Sequence, residues 1–264
     1  MTRWVALIGL GAVAWRGWPG TSLETHMTGI ESCPNTWLSV ACDVSEKARA
    51  DFSEHFAGVP VVRDPKVAAM QADIVTICTP PDTHADVLED ILPVDGVRAV
   101  ICEKPLAPTV KEAARMVSMC KEAGKVLIVV HQRRYETAHR ALQRFVDGGS
   151  IGRVMVAKAW FPGDYMNNGV HAADLCRFIV GDNVPWSIER RLNSFGISVA
   201  GENGHVSLES YGHLKPGYMA AIYQDAVGCM MDNGRTPACS GEDGVNAVRH
   251  AIYAEEAGCI QATA

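Results

Sequence analysis

The sequence of 264 residues predicts an α/β fold, with an N-terminal doubly wound parallel sheet followed by an α+β region. Two observations support this prediction. In the first half, strands without polar alternation are separated by helical segments, as in a parallel sheet that is covered on both faces. In the second half, short strand-like runs alternate with Gly, Asn and Pro turns, which indicates antiparallel pairing. We therefore expect two domains, residues 1–130 and residues 131–264.

The first half carries the signals of alternating strands and helices. Ser45 is a predicted N-cap, and Asp64-Pro65 opens the following helix with a cap and a first-turn proline. The turn signal Trp18-Pro19-Gly20 lies within residues 15–29 and predicts an interrupted helix or an inserted loop there. The predicted strands are residues 4–8, 37–42, 59–62, 73–78, 97–102 and 126–130.

The second half shows fewer and more widely spaced helical signals. We predict helices at residues 136–146, 172–180 and 244–257, and a strand at residues 154–161. Residues 191–231 carry strand-like runs and turn residues, so we expect short antiparallel strands throughout that stretch.

The composition excludes several classes of protein. A net charge of −6 without a dense basic patch argues against binding to nucleic acid or an anionic membrane. Nine cysteines lie scattered without a Cys-x-x-Cys pair, which favours reduced thiols in a cytoplasmic protein over a disulfide framework or a metal site. Residues 3–14 imitate a secretory signal, but a buried strand that runs into a glycine turn is the favoured interpretation. The sequence lacks an apolar run of about 18 residues, the length that a spanning helix needs.

A glycine pattern after the first strand predicts dinucleotide binding. Gly9-x-Gly11-x-x-Ala14 has the strand before it and the helix start after it that the fingerprint requires, although glycines also close ordinary strand–helix turns. Asp43 ends the second strand, where a carboxylate can accept from both adenosine ribose hydroxyls. This favours NAD over NADP, which stays open as the alternative. The 32 residues from Gly11 to Asp43 exceed the usual separation of about 20, which indicates an insertion.

Two further motifs follow predicted parallel strands. Thr79-Pro80-Pro81 and Glu103-Lys104-Pro105 each come directly after a strand, where side chains face the ligand crevice of such a sheet. A solvated turn is the alternative for the second motif. If the crevice holds a nicotinamide, partial burial would lower the pKa of the Lys104 ammonium, which suits proton exchange near neutral pH.

A third group of polar residues lies at the start of a predicted helix. The spacings of Asn167, His171 and Asp174 put these side chains on one helix face, although a single His is more often structural. Asp174 could orient the imidazole, and Asn167 could bind a substrate hydroxyl. His84 either contacts the nicotinamide or starts a helix, and Tyr135 either lines the cleft or packs at the domain junction.

These motifs, in this order, resemble those of the glucose–fructose oxidoreductase/inositol dehydrogenase (Gfo/Idh/MocA) family. The resemblance rests on Gly9-x-Gly11-x-x-Ala14, Thr79-Pro80-Pro81-x-x-His84, Glu103-Lys104-Pro105-Leu106 and Gly169-Val170-His171-x-x-Asp174. It implies a Rossmann domain and a C-terminal domain with an open, mainly antiparallel sheet, often used for dimerisation, so a homodimer or homotetramer is expected. It also implies NAD(P)-dependent oxidation or reduction at a secondary alcohol of a sugar, nucleotide sugar or cyclitol.

The resemblance assigns roles to the candidate residues. Lys104 and His171 are the expected catalytic residues, with Lys104 at both nicotinamide and substrate and His171 as general acid/base. The expected substrate-binding residues are Asn167, Asp174 and Tyr135. The expected cofactor-binding residues are Gly9, Gly11, Ala14, Asp43, Thr79, Pro80, Pro81, His84, Glu103 and Lys104.

Two departures from the family pattern refine these expectations. Asn167 stands where many members carry Asp, and it looks like the members that oxidise C3 of nucleotide-linked sugars such as UDP-N-acetylglucosamine uronate. The chain is also short for the family, with the missing length expected between Trp160 and Tyr218. Two other functions stay open: a cofactor-binding sensor or partner subunit without turnover, and redox-neutral sugar chemistry assisted by NAD.

Overall fold

The structure is a computed structural model that describes residues 2–18, 21, 23–209, 214–257 and 260–262. Pro19 and Gly20, which belong to the predicted turn, lie outside the described residues.

The first sheet has six parallel strands in the order β3-β2-β1-β4-β5-β6. Every side chain of the fourth and fifth strands is buried, as expected where helices cover both faces. The order reverses between β1 and β4, and the ligand crevice of a doubly wound sheet lies at such a point. The strands are β1 (Arg3–Ile8), β2 (Thr36–Cys42), β3 (Val61–Val62), β4 (Ile74–Ile77), β5 (Ala99–Cys102) and β6 (Val126–Val129).

Helices connect these strands where the capping signals predict them. The Ser45 hydroxyl accepts from the Ala48 amide, and the Asp64 carboxylate accepts from the Lys66 amide, so both predicted caps are confirmed. The helices are α1 (His26–Ser32), α2 (Glu46–His55), α3 (Pro65–Ala69), α4 (His84–Ile91) and α5 (Val110–Glu122).

The segment after β1 is an interrupted helix, one of the two predicted alternatives. A π-helix at Ala12–Arg16 follows the glycine turn and ends at Gly17, before α1 begins at His26. The fingerprint predicted a regular helix at this point. The five-residue π-helix therefore offers a smaller dipole to a pyrophosphate than a full α-helix does.

The second half forms a mixed sheet, which is mainly antiparallel as predicted. Among the described residues its strand order is β10-β9-β7-β8-β11, and only the β7–β8 pair is parallel. The strands are β7 (Val154–Phe161), β8 (Trp186–Arg190), β9 (Gly196–Gly201), β10 (Gly204–Glu209) and β11 (Ile260–Ala262). The helices are α6 (Thr137–Asp147), α7 (Val170–Val180), α8 (Tyr218–Met231) and α9 (Gly241–Glu256).

Helix α8 corrects the prediction that residues 191–231 hold only strands and turns. Its 14 residues are apolar on most sides, so they show little helical periodicity. The helix packs against α1, and its side chains join the core of the first sheet. The Glu24 carboxylate accepts from the amides of Gly217 and Met219 at the start of the helix. The division into residues 1–130 and 131–264 stays a prediction.

Candidate active site

A cleft of about 730 Å³ lies at the carboxyl ends of β4, β5 and β6 and extends to the second half of the chain. Thr79, Lys104 and Arg133 line it from the first sheet, each just past the end of a different strand. Asn167 and His171 line it from the start of α7. Residues that are distant in the sequence therefore share one solvent-accessible space.

The glycine turn leaves room for a phosphate. Gly9 has a φ of +87°, and a Cβ there would lie 2.7 Å from the carbonyl carbon of Cys78. Gly11 is different, because a Cβ there would have no atom within 4 Å. The backbone is thus open on the side where the fingerprint places a pyrophosphate, and Ala14 is buried behind it.

Asp43 lies beside the glycine turn at the end of β2. One carboxylate oxygen accepts from the Leu10 amide at 2.8 Å, and the other accepts from the Ser45 amide at 2.8 Å. A carboxylate offers about four acceptor positions, so Asp43 can still accept from hydroxyl groups.

Thr79 presents an unused polar group at the cleft. Its hydroxyl oxygen is buried and has no hydrogen-bond partner among the described residues. Buried hydroxyls are nearly always paired, so an unpaired one beside a cleft fits a bound ligand.

Lys104 is held by Asn167 across the cleft. Its ammonium donates to the Asn167 side-chain oxygen at 2.6 Å and to the Asn167 carbonyl at 2.9 Å. Burial lowers the pKa of Lys104; the Glu103 carboxylate opposes this effect, and the Arg133 charge adds to it. The ammonium is therefore a better proton donor than an exposed lysine.

Glu103 belongs to a buried hydrogen-bond network under the cleft floor. Its carboxylate lies 3.0 Å from Nε2 of His26 and accepts from the Lys104 amide at 3.0 Å. His26 also bonds the Tyr223 hydroxyl at 2.9 Å, and that hydroxyl lies 3.0 Å from Thr76. Burial opposes ionisation of Glu103, but the His26 hydrogen bond and nearby cations lower its pKa below the ordinary value.

His171 is buried at the cleft and pairs with a second histidine. Its Nδ1 lies 3.3 Å from Nδ1 of His131, and Nε2 makes no hydrogen bond within the described part of the chain. Burial lowers the pKa of His171 well below its usual value, and the charges of Lys104, Arg133 and His131 act in the same direction. The imidazole is therefore neutral at pH 7, with Nε2 available.

A protein-family model matches the N-terminal part of the chain, which contains Thr79 and Lys104 of the cleft. Residues 4–131 match the family model GFO_IDH_MocA, described as an oxidoreductase family with an NAD-binding Rossmann fold. The matched part of the chain, residues 4–131, belongs to the Gfo/Idh/MocA family. The resemblance stated from the motifs is thus confirmed.

Several members of the Gfo/Idh/MocA family are similar to this chain in sequence. A 1,5-anhydro-D-fructose reductase of Ensifer adhaerens is 29% identical over 203 residues, which are 69% of this chain and 58% of that protein. A myo-inositol 2-dehydrogenase of Thermotoga maritima is 25% identical over 68% of this chain and 55% of that protein. A D-apiose dehydrogenase of Paraburkholderia graminis is 32% identical over 60% of this chain and 47% of that protein. The chain spans about half the length of these curated relatives.

Solved structures share the whole fold. A probable dehydrogenase from Thermotoga maritima superposes with a TM-score of 0.81 at 18% identity, covering 98% of both chains. The scyllo-inositol dehydrogenase from Lactobacillus casei, solved with NAD(H) and scyllo-inositol, gives 0.80 at 16% identity and covers 100% of both chains. These similarities confirm the predicted fold class, a doubly wound parallel sheet followed by a domain with an open, mainly antiparallel sheet.

The structure corrects the interpretation of Asp174. This side chain is 1% exposed and accepts three hydrogen bonds from Arg134, at 2.7, 2.9 and 3.0 Å. The three-residue spacing puts Asp174 and His171 on one face, but Arg134 binds the carboxylate and His131 contacts the imidazole. Asp174 therefore joins two elements through an ion pair and does not orient His171.

Tyr135 and His84 also lie away from the cleft. The Tyr135 hydroxyl donates to Asp225 of α8 at 3.0 Å, so this side chain packs at the junction, the second of the two predicted alternatives. His84 is fully buried, and its ring nitrogens lie 3.1 Å from the Leu106 carbonyl and 2.8 Å from the Thr79 carbonyl. It therefore shapes the Thr79 turn from below. Pro80 and Pro81 are also not among the described residues that line the cleft.

The sequence interpretation missed His131 and Arg133. Both follow β6 at the same sheet edge as Lys104, so the rule that placed Lys104 in the crevice also applied to them. They stand within the stretch in which only Tyr135 was named as a candidate. Among the described residues, no cluster of His, Cys, Asp and Glu is arranged to hold a metal ion. That part of the chain also contains no helix that is long and apolar enough to cross a membrane.

Proposed function

We propose that this protein is an NAD(P)-dependent oxidoreductase that transfers a hydride between nicotinamide and a secondary alcohol or ketone. The substrate class is a sugar, a nucleotide sugar or a cyclitol. The proposal depends on one observation: Lys104, Asn167 and His171 line a single cleft at the edge of a Rossmann sheet. The names of the relatives, which are reductases and dehydrogenases of sugars and inositol, support the substrate class.

The residues at the sheet edge fit a dinucleotide. When bound, the cofactor's nicotinamide supplies the hydride acceptor or donor. Gly9 and Gly11 would hold the pyrophosphate, the Asp43 carboxylate would accept from the adenosine ribose, and the unpaired Thr79 hydroxyl would contact the nicotinamide side. NAD is the preferred cofactor, because the Asp43 carboxylate would repel the 2′-phosphate of NADP.

His171 would move the hydroxyl proton of the substrate. If Nδ1 of His171 donates to Nδ1 of His131, the lone pair of Nε2 is left to accept that proton. The lowered pKa of His171 keeps this lone pair free at neutral pH. His131 would then act as a positioning residue that selects the tautomer of His171.

Lys104 would polarise the same substrate oxygen. Its ammonium can turn from Asn167 to the oxygen without leaving the cleft, because Asn167 supplies two acceptors on one side only. A cation at this point stabilises the negative charge that develops on the oxygen when the proton leaves.

The decisive experiment is a screen of the purified chain. Native mass spectrometry identifies any co-purified nucleotide. Absorbance at 340 nm then measures the formation of NADH or NADPH when sugars, inositols or UDP-sugars are added together with NAD or NADP. We expect NADH formation, and a loss of about 10²–10⁴-fold in turnover in Lys104→Ala and in His171→Ala. Lys111→Ala, an exposed lysine at the start of α5, is the matched control.

Each other outcome has a definite meaning. Full activity in both Lys104→Ala and His171→Ala would remove the catalytic assignment. A bound nucleotide whose absorbance never changes with any substrate would favour a sensor or partner subunit. Turnover of sugar without net NADH would favour redox-neutral chemistry.

We also propose a homodimer or homotetramer in the cytoplasm. The second sheet exposes the apolar side chains of Met155 and Val156, at 47% and 45%, which suits an interface between copies. The described cysteines are free thiols, as in a reducing compartment. Light scattering on the purified protein measures the oligomeric state, and a monomer at micromolar concentration would contradict the proposal.

A further inference from the structure

Arg133 is a buried cation that forms no side-chain hydrogen bond or ion pair with the residues that the structure describes. Its side chain lines the cleft, and the residue is 7% exposed. The guanidinium carbon lies 3.4 Å from the centre of the Phe195 ring. Its Nε is buried without a hydrogen bond, and within the described ranges the other guanidinium nitrogens form no hydrogen bond or ion pair either.

The carboxylates around Arg133 bind other groups. Glu136 accepts from the amides of Ala138 and His139, at 2.8 and 3.0 Å, and caps α6. Asp174 is bound by Arg134. Burial lowers the pKa of Arg133 to about 9, although the Tyr218 hydroxyl, Glu136 and Asp174 oppose the shift. Among the described residues, therefore, no carboxylate forms an ion pair with Arg133.

An isolated buried charge destabilises a folded protein, so it is expected where a ligand supplies the missing partner. The neighbouring groups strengthen this argument. Arg133 lines the same cleft as Lys104 and His171, and its charge lowers the pKa of both. The cleft therefore holds two cations beside the neutral His171, and a planar guanidinium matches a carboxylate or phosphate in a bidentate manner.

The cofactor's own pyrophosphate is not the expected partner. Arg133 follows β6, whereas the glycine turn follows β1, and two other strands lie between them in the sheet. Three strand spacings of about 4.8 Å separate the two sites by about 14 Å. An anion at Arg133 therefore belongs to the substrate.

We propose that the substrate carries an oxyanion, a carboxylate or a phosphate, close to the carbon that is oxidised, and that Arg133 binds this group in the cleft. This inference rests on the proposed function, and it narrows the substrate class to acidic sugars or polyols.

Matched probes test the inference on the protein saturated with NAD. D-glucose, D-glucuronate and D-glucose 6-phosphate differ in charge, and myo-inositol with its monophosphate forms a second set. We expect an anionic probe to bind at least about 10-fold more tightly than its neutral partner, measured by calorimetry, because a charge-assisted pair is worth that much. The carboxylate and phosphate arms show which oxyanion is preferred.

Substitutions at position 133 separate a ligand role from a structural one. R133Q should remove the preference for the anion, a loss of about 10- to 100-fold, and R133K should retain part of it. R144Q, an exposed arginine on α6, should retain all of it. The urea midpoint of R133Q without ligand should equal or exceed that of the wild type, because the change removes an unpaired buried charge. A structural arginine would instead lower the midpoint.

The inference is overturned if no anionic probe binds at least about 10-fold more tightly than its neutral partner, or if R133Q keeps the preference. NADH formation from neutral probes with no anion preference would overturn the inference alone. Failure to bind any nicotinamide cofactor would instead overturn the proposed function.

Discussion

Replacing Asp174 with Asn distinguishes an ion pair that stabilises the fold from a group that tunes His171. The Asp174 carboxylate accepts three hydrogen bonds from Arg134, and the two side chains are 1% and 8% exposed. Asp174→Asn keeps the shape but removes the charge. Breaking a buried pair by changing one partner costs about 3–5 kcal/mol. Arg134 also bonds Asp243 at 3.0 Å and the Ala238 carbonyl at 3.0 Å, so we expect the lower end, about 3 kcal/mol.

Urea unfolding measures this loss, and the pH profile of turnover shows whether His171 is affected. We expect the urea midpoint to fall by about 1 M or more. The acidic limb of the pH profile of turnover, normalised to the concentration of folded protein, should stay unchanged. Asp182→Asn is the matched control, because the Asp182 side chain is 64% exposed in its pair with Arg177, and such pairs contribute at most about 1 kcal/mol. If Asp174→Asn moves the acidic limb and leaves the urea midpoint unchanged, Asp174 acts on His171 and does not serve mainly as the ion-pair partner of Arg134.

Three other predictions concern the glycine turn, the buried histidines and the lysine contact. Gly11→Ala should fold normally, because a Cβ there meets no atom within 4 Å, but it should bind NAD roughly 10-fold or more weakly. Gly9→Ala should instead lower the urea midpoint of unfolding, because the new Cβ would lie 2.7 Å from backbone atoms. Equal nucleotide affinity in Gly11→Ala and the wild type would contradict this. Burial lowers the pKa of both His131 and His171 in the folded protein, so as the pH falls the unfolded chain binds protons at these histidines before the folded chain does. The free energy of unfolding should therefore be highest above about pH 6.5 and should fall below that pH by up to about 1.4 kcal/mol per pH unit for each histidine. Urea titrations at several pH values check this, and a free energy of unfolding that does not change with pH would refute it. Asn167→Ala removes one of the two acceptors of the lysine and should lower kcat/KM about 10-fold, a change that steady-state kinetics at 340 nm would detect.

Local signals predicted most of the first sheet, because its strands are short apolar runs bounded by caps and turns. The six strands of the first sheet were placed within a few residues, and Ser45 and Asp64 cap the helices that they were predicted to cap. Helix α8 was missed because most of its sides are buried, against α1 and in the core of the first sheet, so it lacks a polar face. Its burial depends on another part of the chain, which a local pattern does not contain.

The candidate site was predictable to the extent that it follows the sheet edge. Lys104 and His171 line the predicted crevice, since strand ends and helix starts determine their positions. The partners of Asp174 and His84 were not predictable from spacing. Spacing determines which residues share a face, but the neighbouring element determines whether Arg134 or an imidazole meets the carboxylate. Arg133 is informative for the same reason, because only the folded structure shows that no described residue forms a hydrogen bond or ion pair with its side chain.

The central claim is that Lys104 and His171 act together on one substrate oxygen beside a nicotinamide. A crystal structure with NAD bound tests it most directly. We predict that the nicotinamide ring lies beside Thr79, with the Lys104 ammonium and Nε2 of His171 on the same side of the ring. One hydroxyl oxygen should then be able to sit within about 3.2 Å of both nitrogens. A ring bound outside this cleft, or one that separates the two nitrogens, would contradict the account.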